Sequence, residues 1–199
     1  MGTIPPPRFS SGELFEDDVN FCYGSRYGLL WPILDTIFDL NLIYVNSNDA
    51  IKQRKDFLEY YKIGICDIVD SCERVKLNAS DIGMKNIKFR DLLKYLSEYP
   101  TIDTLLFMGG NSKNGPEYFF RLNLKEYDLQ LKKVPSNKAK VHQFEFKNRL
   151  IKTISLISPS NAANRYIGSN ALYKESVKRD KNYSTFKFRL SQYEHFFNV

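Results

Sequence analysis

Two apolar runs, each stopped abruptly by a loop of small and polar residues, constrain this chain more than any other feature. Leu150-Ile151-Lys152-Thr153-Ile154-Ser155-Leu156-Ile157 reads as a buried strand, and it gives way at once to Ser158-Pro159-Ser160-Asn161-Ala162-Ala163-Asn164-Arg165. Ile102-Asp103-Thr104-Leu105-Leu106-Phe107-Met108 reads the same way and leaves the core through Gly109-Gly110. Around these runs the apolar spacing is helical. Helices are predicted from Trp31 through Phe38, over 51–61 after the start signal Asn48-Asp49, over 89–98 up to Pro100, over 115–122 and over 170–178. Residues 62–69 are short, apolar and β-branched, either a strand or a connector before a helix, while 128–148 fit neither period and 8–20 read as an acidic surface loop. Strands alternating with helices predict an α/β protein with a parallel sheet covered on both faces. Ligands of such folds bind at the carboxyl edge of the sheet, where 158–165 would lie. A second polar, Pro-rich stretch, Gly2-Thr3-Ile4-Pro5-Pro6-Pro7-Arg8, opens the chain, so one site built from both loops is expected.

Length and charge narrow the classes. At 199 residues the chain is expected to form one domain, 1–199, with a real core. No apolar stretch reaches the ~18 residues that a membrane helix needs, and no signal peptide is visible. Cys22, Cys66 and Cys72 lack C-x-x-C spacing and read as reduced thiols of a cytoplasmic protein. With two His besides, no metal site and no cofactor are expected. The net charge is +6, unevenly spread: residues 132–199 hold 14 Lys and Arg against 4 Asp and Glu, and the rest of the chain holds 15 against 19. A basic C-terminal third fits a nucleic-acid partner or a solvated lysine-rich surface.

Four segments, in order along most of the chain, resemble the uracil-DNA glycosylase superfamily, nearest its hypoxanthine-DNA glycosylase and mismatch-type branch. Gly2-Thr3-Ile4-Pro5-Pro6 resembles the first active-site motif, a glycine loop after the first strand. Phe21-Cys22-Tyr23-Gly24-Ser25-Arg26-Tyr27-Gly28-Leu29-Leu30-Trp31-Pro32-Ile33-Leu34 resembles the branch's Tyr-Tyr-Gly-His-Pro-x-Asn-x-Phe-Trp stretch. Gly64-Ile65-Cys66-Asp67-Ile68-Val69-Asp70-Ser71-Cys72-Glu73-Arg74, followed by Leu77 and Asp81-Ile82, is similar to its Gly-x-x-Asp-Val-x-x-Ser-Cys-Glu-Arg segment. Leu156-Ile157-Ser158-Pro159-Ser160-Asn161-Ala162-Ala163 resembles the loop that enters DNA at the flipped nucleotide. The resemblance implies a three-layer α/β/α fold with a central, mainly parallel sheet of about four strands. It also implies a monomer that acts on DNA, flips a damaged or modified base and hydrolyses its N-glycosidic bond. The sequence departs from the pattern where the superfamily carries an Asp or Asn in its first motif, here Ile4, and where the branch carries an Asn, here Gly28. The resemblance implies a deaminated base, uracil or hypoxanthine, as substrate; the two departures leave open a pocket that takes a bulkier base such as a modified cytosine of foreign DNA, or an inactive DNA-binding relative. Only Met1 precedes the first motif, so either the first strand is missing or that edge of the sheet is built differently.

The chemistry of base release suggests a role for each candidate residue. Base release needs a pocket for the extruded nucleotide and electrostatic stabilisation of a cationic sugar and a departing anion. Gly2 and Thr3 are expected to offer backbone N–H groups, with Ile4 and Pro5 completing the loop, and Tyr23, Gly24, Ser25 and Gly28 to line the base site. Asp67 is the expected catalytic carboxylate, its alternative being the N-cap of a helix from Ile68. Glu73 and Arg74 read as an ion pair framing the pocket, and Trp31 reads as core. Arg26, Ser158, Ser160, Asn161 and Arg165 are expected to contact DNA, Asn161 alternatively capping the following helix. Lys174, Lys178, Arg179, Lys181, Lys187 and Arg189 would add salt-sensitive affinity.

Overall fold

A computed structural model describes residues 1–74, 83–110 and 112–197; Leu77, Asp81 and Ile82 lie outside the described residues. In chain order the elements are α1 (Pro7–Ser11), α2 (Leu30–Phe38), α3 (Asn48–Tyr60), β1 (Val69–Arg74), β2 (Met84–Phe89), α4 (Leu92–Glu98), β3 (Thr104–Phe107) and α5 (Pro116–Lys125). They continue with β4 (Lys132–Val134), β5 (Lys140–Phe146), β6 (Arg149–Ser155), a 3-10 turn at Asn161–Ala163, α6 (Asn164–Ser169), α7 (Ala171–Arg179) and α8 (Thr185–Phe197). The chain is thus mixed α/β. It divides into two compact units, one of Met1–Ser11 with Ile65–Leu156, the other of Gly12–Gly64 with Ile157–Val199.

The first unit holds the sheets. Its four-stranded sheet has the order β3-β6-β5-β4, with β3 and β6 parallel and the other two pairings antiparallel. These four strands are therefore mixed, not mainly parallel. The reason lies in 128–148, which supplies a hairpin: Phe146 pairs with Arg149 across Lys147 and Asn148, both at positive φ, the geometry of a two-residue turn that matches strand twist. Parallel pairing resumes beyond β3. Met1 N–H donates to the Leu106 carbonyl (2.7 Å) and Met108 N–H to the Met1 carbonyl (2.8 Å), a pattern that parallel neighbours make. On its other side Gly2 forms a parallel bridge to Asp67. Residues 1–3 thus fill the place of a first strand, between 66–69 and β3.

Apolar side chains from one face explain the packing. Phe107 of β3, Phe144 of β5 and Ile151 of β6 join Leu92, Leu93 and Leu96 of α4 and Phe119, Phe120 and Leu124 of α5 in one core. Each fully buried side chain of this size stabilises by about 1.5–3 kcal/mol. Helix α4 starts at Leu92, capped by Asp91, because Phe89 ends β2. No helix follows Asp67: β1 begins at Val69 and pairs antiparallel with β2.

The second unit is helical. Helix α2 buries Leu30, Trp31, Ile33 and Leu34, and α3, capped by Ser47, buries Ala50, Arg54, Phe57 and Leu58. Trp31 meets Phe57 edge-on (6.1 Å) and is 1% exposed, the core position expected of it. Helix α8, which buries Arg189, Tyr193 and Phe197, packs on α2. The stretch 8–20 is not simply a surface loop, since α1 starts it and Asp18 near its end is fully buried. Among the described residues no helix is long and apolar enough to cross a membrane, and no cluster of three His, Cys, Asp or Glu is placed to hold a metal ion.

Candidate functional site

The expected site residues fall into two groups, one in each unit. In the first unit Gly2, Thr3, Ile4, Pro5 and Asp67 come together through backbone pairing. Gly2 N–H donates to the Cys66 carbonyl (3.2 Å), and the N–H groups of Ile68 and Val69 donate to the carbonyls of Gly2 (2.9 Å) and Thr3 (3.0 Å). The Gly2 N–H is therefore engaged within the sheet and is not offered to a ligand. Ile4 packs against the core, which accounts for an apolar residue at that position. Pro5 is exposed, and its carbonyl accepts from Arg74 (3.2 Å), so the loop is held from the end of β1. Asp67 is half-buried; its carbonyl accepts from the Arg90 guanidinium (3.0 Å). The helix-cap alternative for Asp67 falls with the strand that begins two residues later. Beside it, burial pushes the Cys66 thiol up. A cleft of about 280 Å³ in this unit is lined by Asp70, Arg90, Lys94 and Tyr95 among others and includes none of the expected site residues.

In the second unit Tyr23, Gly24, Ser25, Arg26 and Gly28 form a tight loop ahead of α2. Tyr23 adopts φ +58°, and Gly24 has no room for a side chain: a Cβ there would stand 1.9 Å from the Val19 carbonyl oxygen. Gly28 N–H donates to the Ser25 carbonyl (2.7 Å). A Cβ on Gly28 would point at the carbonyl oxygens of Ser25 (3.0 Å) and Tyr23 (3.1 Å). The absent side chain at Gly28 therefore opens no pocket wall; the loop's own backbone fills that direction. The buried Asp18 carboxylate accepts from Arg26 N–H (2.8 Å) and Phe15 N–H (3.0 Å). Two exposed rings are fixed this way, with the Arg26 guanidinium 4.8 Å from both Phe15 and Tyr27.

The loop after β6 lies against this first loop, Leu29 N–H donating to the Pro159 carbonyl (2.9 Å). Helix α8 holds it from below. Gln192 accepts from Ile157 N–H (2.8 Å) and the Tyr193 hydroxyl donates to the Ile157 carbonyl (2.8 Å). Arg189 donates to the carbonyls of Ser158 (3.0 Å) and Ser160 (2.7 Å), to Asn164 Oδ1 (2.8 Å) and to the Thr185 carbonyl (3.2 Å). Ser160, not Asn161, caps the turn that follows, accepting from Ala162 N–H (3.2 Å). Asn161 and Arg165 are exposed, and Ser158 and Ser160 are half-buried.

Arg189 corrects the reading of a uniformly basic tail. Lys174, Lys178, Arg179, Lys181 and Lys187 are exposed, but Arg189 is fully buried and has no carboxylate partner among the described residues. Burial lowers its pKa from the ordinary value. Burial also pushes the Tyr193 hydroxyl far up, so that it stays a proton donor. The signal for both was present in the sequence. At helical spacing Phe186, Tyr193 and Phe197 share one face of 185–197 with Arg189, and an Arg within such an apolar stripe needs acceptors. No family model matches the chain, and no curated protein or solved structure matches it.

Proposed function

We propose that this chain is a monofunctional DNA glycosylase of the uracil-DNA glycosylase type, with that family's three-layer α/β/α fold, acting as a monomer. One observation carries the reading: residues 1–3 lie between 66–69 and β3, with β6 beyond, all four parallel. Residues 1–3 thus sit inside a parallel set, with 66–69 on one side and β3 and β6 on the other. Residues 3–5 leave at the carboxyl end of that switch point, where α/β sheets bind ligands. This order supports the resemblance of Gly2-Thr3-Ile4-Pro5 to a first active-site motif.

The reaction extrudes a nucleotide, at a cost of a few kcal/mol. The bond between C1′ and the base nitrogen breaks, the electron pair leaves with the base, and water supplies the new oxygen on C1′ and a proton to the base. Asp67 offsets the positive charge developing on the sugar. Ser158, Ser160, Asn161 and Arg165 contact the backbone, and Arg26 a base or phosphate. Uracil and hypoxanthine are the substrates; with Gly28 facing its own loop, a bulkier base loses half of its support.

A second reading, an inactive DNA-binding relative, is favoured by Ile4 and Gly28 together. Ile4 is packed against the core and the Gly28 direction is closed, so neither position supplies a polar side chain. The test is base release from DNA carrying uracil, hypoxanthine, or hydroxymethylated or glucosylated cytosine, read by mass spectrometry and by alkali cleavage of abasic sites. Release from a deaminated base that drops at least about 100-fold in Asp67→Ala is expected. Release unchanged in that variant removes Asp67 from the mechanism, and DNA binding without release from any substrate selects the second reading.

A further inference from the structure

The Arg189 guanidinium carries five N–H donors and no acceptor. It sits fully buried at the base of the loop after β6, and the partners named above are all neutral oxygens. Around it, the carbonyls of four consecutive residues are each bonded to a protein donor. Ile157 is held by Tyr193, Ser158 and Ser160 by Arg189, and Pro159 by Leu29.

This arrangement fixes the loop's electrical polarity. In a trans peptide the C=O and N–H point in opposite directions, and no peptide bond here is cis. The N–H groups sharing peptide planes with the carbonyls of Ile157, Pro159 and Ser160 belong to Ser158, Ser160 and Asn161. They therefore point away from Tyr193, Leu29 and Arg189. None of the three has a protein acceptor among the described residues. The one peptide plane left over ends in Pro159, which has no N–H. Carbonyls held by Tyr193, by Leu29 N–H and by the Arg189 cation leave the N–H groups of Ser158, Ser160 and Asn161 on the opposite sides of their peptide planes, and N–H groups so placed accept anions. The fixed positive charge beneath acts in the same direction, with weaker solvent screening than a surface lysine.

We propose that Arg189 is a positioning residue that, by holding the Ser158 and Ser160 carbonyls, turns the Asn161 N–H away from the buried side, and that this N–H, together with the Ser158 and Ser160 N–H groups turned by Tyr193 and Leu29, lets the loop accept a phosphodiester oxygen of DNA. The inference rests on the DNA-binding reading above for the identity of its ligand. It does not rest on base release. Arg189 is not itself the DNA contact; it acts through the Ser158 and Ser160 carbonyls and the Asn161 N–H.

The test pairs two variants with two probes. Arg189→Lys keeps the charge with fewer donors, and Arg189→Met removes both at similar length. The probes are a double-stranded oligonucleotide and inorganic phosphate, each titrated while the amide resonances of Ser158, Ser160 and Asn161 are followed. The expected result is that these amides shift in the native protein. Arg189→Met should bind the oligonucleotide at least tenfold more weakly with a shallower dependence on salt, and Arg189→Lys should recover part of both. A folded Arg189→Met protein with unchanged affinity and salt dependence overturns the inference. If Arg189→Met does not fold, Tyr193→Phe replaces it. That variant releases the Ile157 carbonyl and should diminish the Ser158 response alone, and an undiminished response overturns the inference. A native protein that binds no oligonucleotide but shifts these three amides with phosphate sinks the DNA reading and keeps the loop's polarity. No shift with either probe sinks the polarity itself.

Discussion

Gly24→Ala should destabilise the protein by about 3 kcal/mol, and the figure follows from one crowded turn. The added Cβ would stand 1.9 Å from the Val19 carbonyl oxygen and 2.9 Å from that of Phe21. Carbon–oxygen contacts normally stop near about 3.3 Å, so the Val19 oxygen must move by more than about 1 Å. That oxygen accepts from Phe21 N–H at 2.6 Å; the same turn holds Gly24 N–H on Phe21 (2.9 Å) and Val19 N–H on Gly24 (2.7 Å). Losing three backbone bonds at a net of about 1 kcal/mol each gives the estimate. For a chain of this length it lowers Tm by roughly 6–12 °C. Urea unfolding followed by tryptophan fluorescence is the assay: Trp31 is the single tryptophan, and its indole N–H donates to the Cys22 carbonyl inside this turn (2.8 Å). Gly28→Ala is the control, with its nearest contacts at 3.0 and 3.1 Å, relieved by small shifts at a cost of about 1 kcal/mol or less. A Gly24→Ala protein within about 1 kcal/mol of the native one would refute close backbone approach as the reason for glycine at that position.

Two further outcomes follow from the first unit. Glu117 is fully buried, accepting from Arg121 (2.7 Å) and from the Ser155 hydroxyl (2.7 Å), so Glu117→Ala should cost about 3 kcal/mol, with Glu117→Gln recovering part by keeping the serine bond. Thermal melts check this, and an unchanged Tm in Glu117→Ala would count against the pair. Burial, chiefly, holds the His142 imidazole below its ordinary pKa of 6.5; Glu117 opposes this, while Arg121, Lys140 and Lys133 add to it. The unfolded chain therefore takes up a proton first as pH falls. This contribution to stability is complete above pH 6.5 and is lost as pH drops toward the folded-state value. Urea midpoints measured across that range should fall less steeply in His142→Gln than in the native protein, and parallel curves would exclude His142 as the titrating group.

Legibility in the sequence tracked the range of the interactions involved. Strands β3 and β6 and helices α2, α3, α5 and α7 are written in local apolar spacing, and each stands within a few residues of its expected place. The hairpin at 140–155 was illegible because its turn, Lys147-Asn148, lacks the glycine that usually signals positive φ. The place of residues 1–3 was illegible for another reason: pairing to 66–69 and to β3 joins segments far apart in sequence, and no local pattern encodes it. At the candidate site, residue types were readable but their partners were not. Ser160 and Asn161 are equally good caps on paper, and only the backbone angle at Ser160 decides between them. Arg189 looked like one more cation of a basic tail until its four oxygen acceptors, three of them more than twenty residues away, placed it in the interior.

The connectivity of the two units also orders events in time. Gly12–Gly64 is made early but finds the rest of its unit only in Ile157–Val199, with Ile65–Leu156 intervening. The first unit, by contrast, has all of its segments in hand once Leu156 has emerged. During synthesis, α2 and α3 can pair early through Trp31 and Phe57, but the part of α2 that meets α8 must wait uncovered until α8 emerges, and closing so long a loop adds entropy cost and slows the final step. That interval, more than the finished fold, is when the apolar side chains of α2 still without cover are open to wrong partners.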